Sequence, residues 1–130
     1  MRNSAGTKRV LIVEDEAQAG LALAETLKDE GHRVIGPVES QSEAIAALEQ
    51  TRPDVAILDL TLRDGFCVRL ADDLKDRGIP FMIFSGQRRE EAAVDALDGV
   101  PWVEKPGGLD EITAALDSLT TTSNQEHRAA

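Results

Sequence analysis

The stretch VLIVEDEAQAG, residues Val10–Gly20, decides the fold: four apolar residues run without alternation into Glu14, Asp15 and Glu16, then into residues at helical spacing. A short continuous apolar run reads as a strand covered on both faces, which is the habit of a parallel sheet with helices on either side. The N-terminus of a helix favours one nearby carboxylate, and that role suffices for Glu16. Glu14 and Asp15 admit the same structural reading beside a functional one.

Working outward, the same kind of run recurs at Val55–Leu58 and Phe81–Phe84, with weaker versions around Val34–Ile35 and Trp102–Val103. Between them the period changes to that of a helix. Ala17, Gly20, Leu21, Ala24 and Leu27 form one stripe, and Ala44, Ile45 and Leu48 a second. Cys67, Leu70, Ala71 and Leu74 form a third, and Leu109, Ile112, Leu116 and Leu119 the last. Arg88–Leu97 is the weakest helix, with only Ala93, Val94 and Leu97 marking an inner face. Gly31 can stop the first helix, and Ser40-Gln41-Ser42-Glu43 reads as a capping box opening the second. Strand and helix thus alternate five times, which predicts an α/β, doubly wound parallel sheet.

At 130 residues the chain suits one domain, expected over 8–120, with small, polar, aperiodic and therefore flexible ends at 1–7 and 121–130. Fourteen basic against twenty-four acidic residues, with no Lys/Arg run, argue against direct nucleic-acid binding. No stretch is long enough to span a membrane and the N-terminus lacks the apolar region of a signal peptide, so a cytoplasmic location is expected. The single Cys67 reads as a structural thiol, and His32 and His127, isolated from other ligands, as ordinary surface residues.

In such a sheet, ligands sit beyond the carboxyl ends of the strands. There the first strand delivers Glu14 and Asp15, the third Asp59 and the loop 60–65, the fourth Ser85-Gly86, and the fifth Lys105-Pro106. A phosphate-cradling first loop is ruled out, because Glu14-Asp15-Glu16 would repel the anion. Clustered carboxylates call for a cation between them, and oxygen-only ligands in small number favour Mg2+. Asp59 could then attack a phosphoryl donor, while Lys105 and the Ser85 hydroxyl, with a backbone amide, take up charge on the phosphoryl oxygens.

The ordered set VEDE after the first strand, DVAILDL around Asp59, IFSG and EKP resembles the receiver domain of two-component response regulators, the CheY-like family, from about Lys8 to Leu119. The resemblance implies the flavodoxin-like strand order 2-1-3-4-5 with five helices. It implies that Asp59 accepts a phosphoryl group from a histidine kinase or histidine phosphotransfer protein. Magnesium would be held by Glu14, through water, Asp15, Asp59 and the main-chain carbonyl of Thr61. Ser85 would turn toward the phosphoryl group, Lys105 would bridge Asp59 and then the phosphate, and Lys105–Pro106 would be a cis peptide. Such a domain is a signalling module rather than an enzyme, apart from catalysing its own phosphorylation and slow dephosphorylation, and Thr61 and Gln87 are candidates for setting the latter rate.

Three features depart from the family pattern: Gly86 where alanine is commoner, a short segment between Ser85 and Lys105, and Gly107-Gly108 after Pro106. The first two are similar to stand-alone alpha-proteobacterial receivers with a hydroxyl-glycine motif. Trp102 occupies the place of the family's switching aromatic, and its bulk and the neighbouring Pro101 favour a packing role over a swinging one. With only a short tail after the last helix, the expectation is a chain without an output domain, signalling through a protein partner on the face of helix four, strand five and helix five. The competing readings are a phosphorylation-independent binding module of the same fold and an aspartyl-phosphate phosphatase. The second wants an Asp where Thr61 stands.

Overall fold

The computed structural model describes residues 7–89, 95–105, 108 and 110–119. Five strands form the main sheet: β1 (Arg9–Val13), β2 (Arg33–Val38), β3 (Val55–Leu58), β4 (Phe81–Ser85) and β5 (Trp102–Glu104). They are all parallel, in the order β2-β1-β3-β4-β5. The helices are α1 (Ala17–Asp29), α2 (Gln41–Gln50) and α3 (Val68–Arg77), with a last helix over 110–119.

The lack of alternation in the strands has a direct cause. Successive side chains point to opposite faces of a sheet, and both faces here are dry. Leu11, Val13, Ala56, Leu58, Phe81 and Ile83 pack with Ala44 and Leu48 of α2 and Leu70, Ala71 and Leu74 of α3. Val10, Ile12, Val55, Ile57, Met82 and Phe84 pack on the other face with Leu23, Ala24 and Leu27 of α1 and Ile112 and Leu116 of the last helix. Burying each large aliphatic side chain contributes about 2 kcal/mol, so the three central strands anchor everything that emerges from their ends.

The capping box is formed: Ser40 Oγ accepts from Glu43 N–H at 3.1 Å, while the Glu43 carboxylate accepts from Glu39 N–H at 2.8 Å. Gly31 follows the end of α1 with φ +94°, a left-handed conformation that suits glycine. Gly36, also left-handed at φ +97° and followed by a cis bond to Pro37, lies where the β1–β2 register shifts. A Cβ there would meet Ile12 O and Val38 N at 2.8 Å, so only glycine fits.

Several expectations need correction. Leu21 is 57% exposed, and the inner stripe of α1 is Gly20, Leu23, Ala24 and Leu27. Gly20, Ala24 and Leu27 face the core as expected, whereas Leu21 lies about 100° around the helix from Gly20, and Leu23, about 60° to the other side, takes the buried place. His32 is not a surface residue: it is 8% exposed, and its Nδ1 accepts the Lys8 N–H at 3.1 Å. The segment after β3 carries a second, two-stranded sheet, Thr61–Leu62 against Gly65–Phe66. Of the weak fourth helix, a short 3-10 turn at Asp95–Leu97 is seen, and residues 90–94 lie outside the described residues. So do Pro106, Leu109, His127 and the two chain ends. Cys67 is fully buried as expected, its thiol pushed up to about 12 chiefly by burial and so unreactive.

Candidate functional site

Adjacent central strands β1 and β3 end level with each other, with Val13 opposite Leu58. The ladder then continues for one more bond, Asp59 N–H to Val13 C=O at 2.9 Å, while Glu14 N–H reaches across to Val38 C=O at 2.8 Å. The two loops therefore leave the sheet side by side. Glu14, Asp15 and Asp59 consequently present carboxylate oxygens that all lie within 4.8 Å of one another. Glu14 is buried at 4% exposure, Asp59 is half-buried and Asp15 is exposed, so the cluster opens to solvent on the Asp15 side.

Lys105 reaches this cluster from the far edge of the sheet. Its backbone N–H bonds Ser85 C=O at 2.8 Å, continuing the β4–β5 ladder. Its ammonium lies 2.6 Å from Glu14 Oε1 and 3.2 Å from Asp59 Oδ2, with the face of Phe84 at 5.4 Å. The expected bridge to Asp59 is present, and a shorter one to Glu14 accompanies it. Glu14 Oε2 also accepts the N–H of Glu16, the residue before α1, at 3.0 Å, and the Glu16 side chain itself makes no cap hydrogen bond to the helix.

The electrostatics follow. Burial penalises the charge of Glu14, but the bonds from Lys105 and Glu16 N–H outweigh it and hold the carboxyl below its ordinary value. Asp59 is left as the disfavoured charge: burial first, and the Glu14 carboxylate second, push it up to about 6 despite Lys105. Burial likewise opposes the charge of Lys105, and its two carboxylate partners more than compensate, raising its pKa. Three acids gather here, and Lys105 bonds two of them, Glu14 and Asp59. A second cation of oxygen-loving type fits this donor set, because it would relieve the repulsion that Asp59 carries.

The hydroxyl side is built differently. Ser85, 3% exposed at the end of β4, accepts Gln87 N–H on its Oγ at 3.1 Å. Gly86 has open space where a Cβ would stand. Trp102 is half-buried, packs on the α2/α3 core and donates its Nε1–H to Gln87 C=O at 2.8 Å. The Arg89 guanidinium lies 5.2 Å from the Trp102 ring and donates to the carbonyls of Leu97, at 3.1 Å, and Val100. The residues that sequence reasoning missed are Gln87's backbone, Arg89 and Asp64. Nothing local identifies them, because the Trp102 partner of Gln87 C=O and Arg89 and the α2 partner of Asp64 lie far away in the chain. Thr61 begins the first strand of the hairpin, paired with Phe66, and Pro106 is outside the described residues.

Among the described residues no helix is long and apolar enough to cross a membrane. Residues 10–117 match the family model of the response regulator receiver domain. The chain is 31% identical over 121 residues to the transcriptional regulatory protein PdtaR of Mycobacterium tuberculosis, covering 88% of this chain and 58% of PdtaR. Among solved structures it is similar to the response regulator PhyR of Brucella abortus, with TM-score 0.81 and 24% identity, covering 95% of this chain and 51% of that one. It is also similar in fold to the response regulator TrrA of Thermotoga maritima, solved with Mg2+ and BeF, with TM-score 0.75 and 21% identity over 86% of this chain and 98% of that one. This chain thus spans little more than half the length of PdtaR and PhyR. With the parallel order β2-β1-β3-β4-β5 and an acidic cluster at the carboxyl ends of its central strands, the chain belongs to the response regulator receiver domain family of two-component systems.

Proposed function

We propose that Asp59 accepts a phosphoryl group from the phosphohistidine of a histidine kinase or histidine phosphotransfer protein, and that the chain signals through protein contacts that depend on this modification. The observation that carries the reading is the convergence of Glu14, Asp15 and Asp59 with Lys105 at the carboxyl end of the sheet. Asp59 at about 6 is largely ionised at neutral pH yet more basic than a surface aspartate, which suits a nucleophile. Its Oδ would form the new P–O bond as the donor's P–N bond breaks, the imidazole leaving with the bonding electrons. Lys105 is placed to follow the charge from the carboxylate to the phosphoryl oxygens. Ser85 accepts a bond on its oxygen and keeps its O–H to donate to a phosphoryl oxygen.

Glu14, Asp15, Asp59 and the Thr61 main-chain carbonyl would hold Mg2+, Glu14 through water. The ion supplies neutralisation of the carboxylates and of the phosphoryl oxygens. Trp102, Gly86 and Pro106 would carry the change toward the face expected of helix four, strand five and helix five, in a protein acting in the cytoplasm. The test is intact mass after treatment with Mg2+ and acetyl phosphate. One phosphoryl adduct that requires Mg2+ supports the reading. A folded wild-type protein that neither acetyl phosphate nor phosphoramidate labels favours the phosphorylation-independent binding module.

A further inference from the structure

The hairpin after β3 has two residue pairs, too few to be stable alone, so what holds it matters for Thr61 in its first strand. Its turn residue Asp64 reaches 22 and 23 positions back along the chain to α2. Asp64 Oδ1 accepts Gln41 N–H at 2.9 Å, and Oδ2 accepts Ser42 N–H at 3.1 Å and the Ser42 hydroxyl at 3.2 Å. Those amides are the first two of α2, which otherwise lack intrahelical partners. The carboxyl of Asp64 is held below its usual range, first by the Gln41 N–H. Beside it, Arg63 N–H donates to Glu39 C=O at 3.2 Å.

The segment that receives these bonds also meets the other acidic loop, because Val38 C=O takes the N–H of Glu14. One connection, residues 38–42, therefore spans both carboxylate loops. Moving the hairpin turn relative to this connection would move Thr61 relative to Glu14 and Asp59.

We propose that Asp64 is a positioning residue for the metal site: by capping α2 it holds the hairpin, and with it the Thr61 main-chain carbonyl, in register with the acid cluster. This rests on the reading of Glu14, Asp15, Asp59 and Thr61 as the Mg2+ ligands. Ser40 supplies the control, since its hydroxyl caps the same helix from within the α2 connection, at Glu43 N–H.

The experiment is calorimetric titration of the folded chain with MgCl2, comparing wild type, Asp64→Ala, Asp64→Asn and Ser40→Ala. Asp64→Ala is expected to weaken Mg2+ binding about tenfold, the lower end of losses for outer partners of metal ligands. Asp64→Asn keeps one acceptor oxygen and should fall between, which also serves if the alanine variant does not fold. Ser40→Ala should lower the unfolding temperature yet leave the affinity within about twofold of wild type. Equal affinities for wild type and both Asp64 variants, or a loss in Ser40→Ala as large as in Asp64→Ala, would overturn the proposal. Wild-type protein that gives no binding curve contradicts the metal site itself and the proposal with it, a failure recognisable because it does not depend on the variant.

Discussion

The two sides of the pocket are held by different means. The carboxylate side sits at the ends of β1 and β3, central strands with Leu11, Ile12, Ile57 and Leu58 almost wholly buried, and its loops are pinned by backbone bonds to the sheet and to Val38. The hydroxyl side sits at the end of β4 and the three-residue edge strand β5. There Ser85, Gln87, Arg89 and Trp102 hold one another through single bonds at a partly exposed surface. Negative charge is thus fixed at the buried centre of the sheet, and the hydroxyl side hangs on its short edge strand. Lys105 joins the two, tied by its backbone to Ser85 and by its side chain to Glu14 and Asp59.

Cutting that join should have the largest effect. Lys105→Ala leaves the buried Glu14 carboxylate without its cation, and removing one partner of a buried pair typically costs 3–5 kcal/mol. With Lys105 22% exposed, about 2–3 kcal/mol is expected from urea unfolding at pH 7.5. A loss under about 1 kcal/mol would mean that the pair behaves as a surface one.

Asp59→Asn should act in the opposite direction. Because folding raises the pKa of Asp59 from 3.8 to about 6, the folded state binds its proton more tightly, and the cost of ionising Asp59 is complete once the pH is above 6. The variant should therefore be more stable than metal-free wild type at pH 7.5, by about 1–2 kcal/mol once the sharing of charge with Glu14 and Lys105 is allowed for. That advantage should shrink as the pH falls through 6 toward 4, which paired unfolding curves would reveal. A pH-independent difference would contradict the assignment of strain to Asp59.

On the hydroxyl side the effects should be smaller. Trp102→Phe gives up the Nε1–H bond to Gln87 C=O, about 1 kcal/mol. A double-mutant cycle of Trp102→Leu with Arg89→Ala should find a coupling of about 0.5–1 kcal/mol from the guanidinium on the ring. No coupling would show that Arg89 is held by the Leu97 and Val100 carbonyls alone. Smallest of all, Glu39→Ala removes an exposed partner of Arg63 and should change stability by less than about 0.5 kcal/mol.

The sequence revealed what burial writes into it. The runs at Val10, Val55 and Phe81 are continuous because both faces of those strands are covered, and the acids at 14, 15 and 59 stand out because they interrupt such runs. The α2 cap was legible because Ser40 and Glu43 are close in the chain. What was not legible depends on partners far apart. The hairpin strands are too short to show alternation, and nothing near Asp64 announces α2 as its partner. The preference of Lys105 for Glu14 over Asp59 spans 91 positions and is set by how β5 aims the side chain. His32 went wrong for a related reason: its burial comes from Lys8 and from its place between α1 and β2, not from any apolar pattern around it.

The central claim is that the phosphoryl group is carried by Asp59. Reducing the acetyl phosphate-labelled protein with borohydride converts an aspartyl phosphate to homoserine, and peptide mass spectrometry then locates it. Homoserine is expected at position 59 and nowhere else, dependent on Mg2+. Homoserine at another carboxylate, such as Asp15 or Asp64, or labelling that persists undiminished in Asp59→Asn, would contradict it.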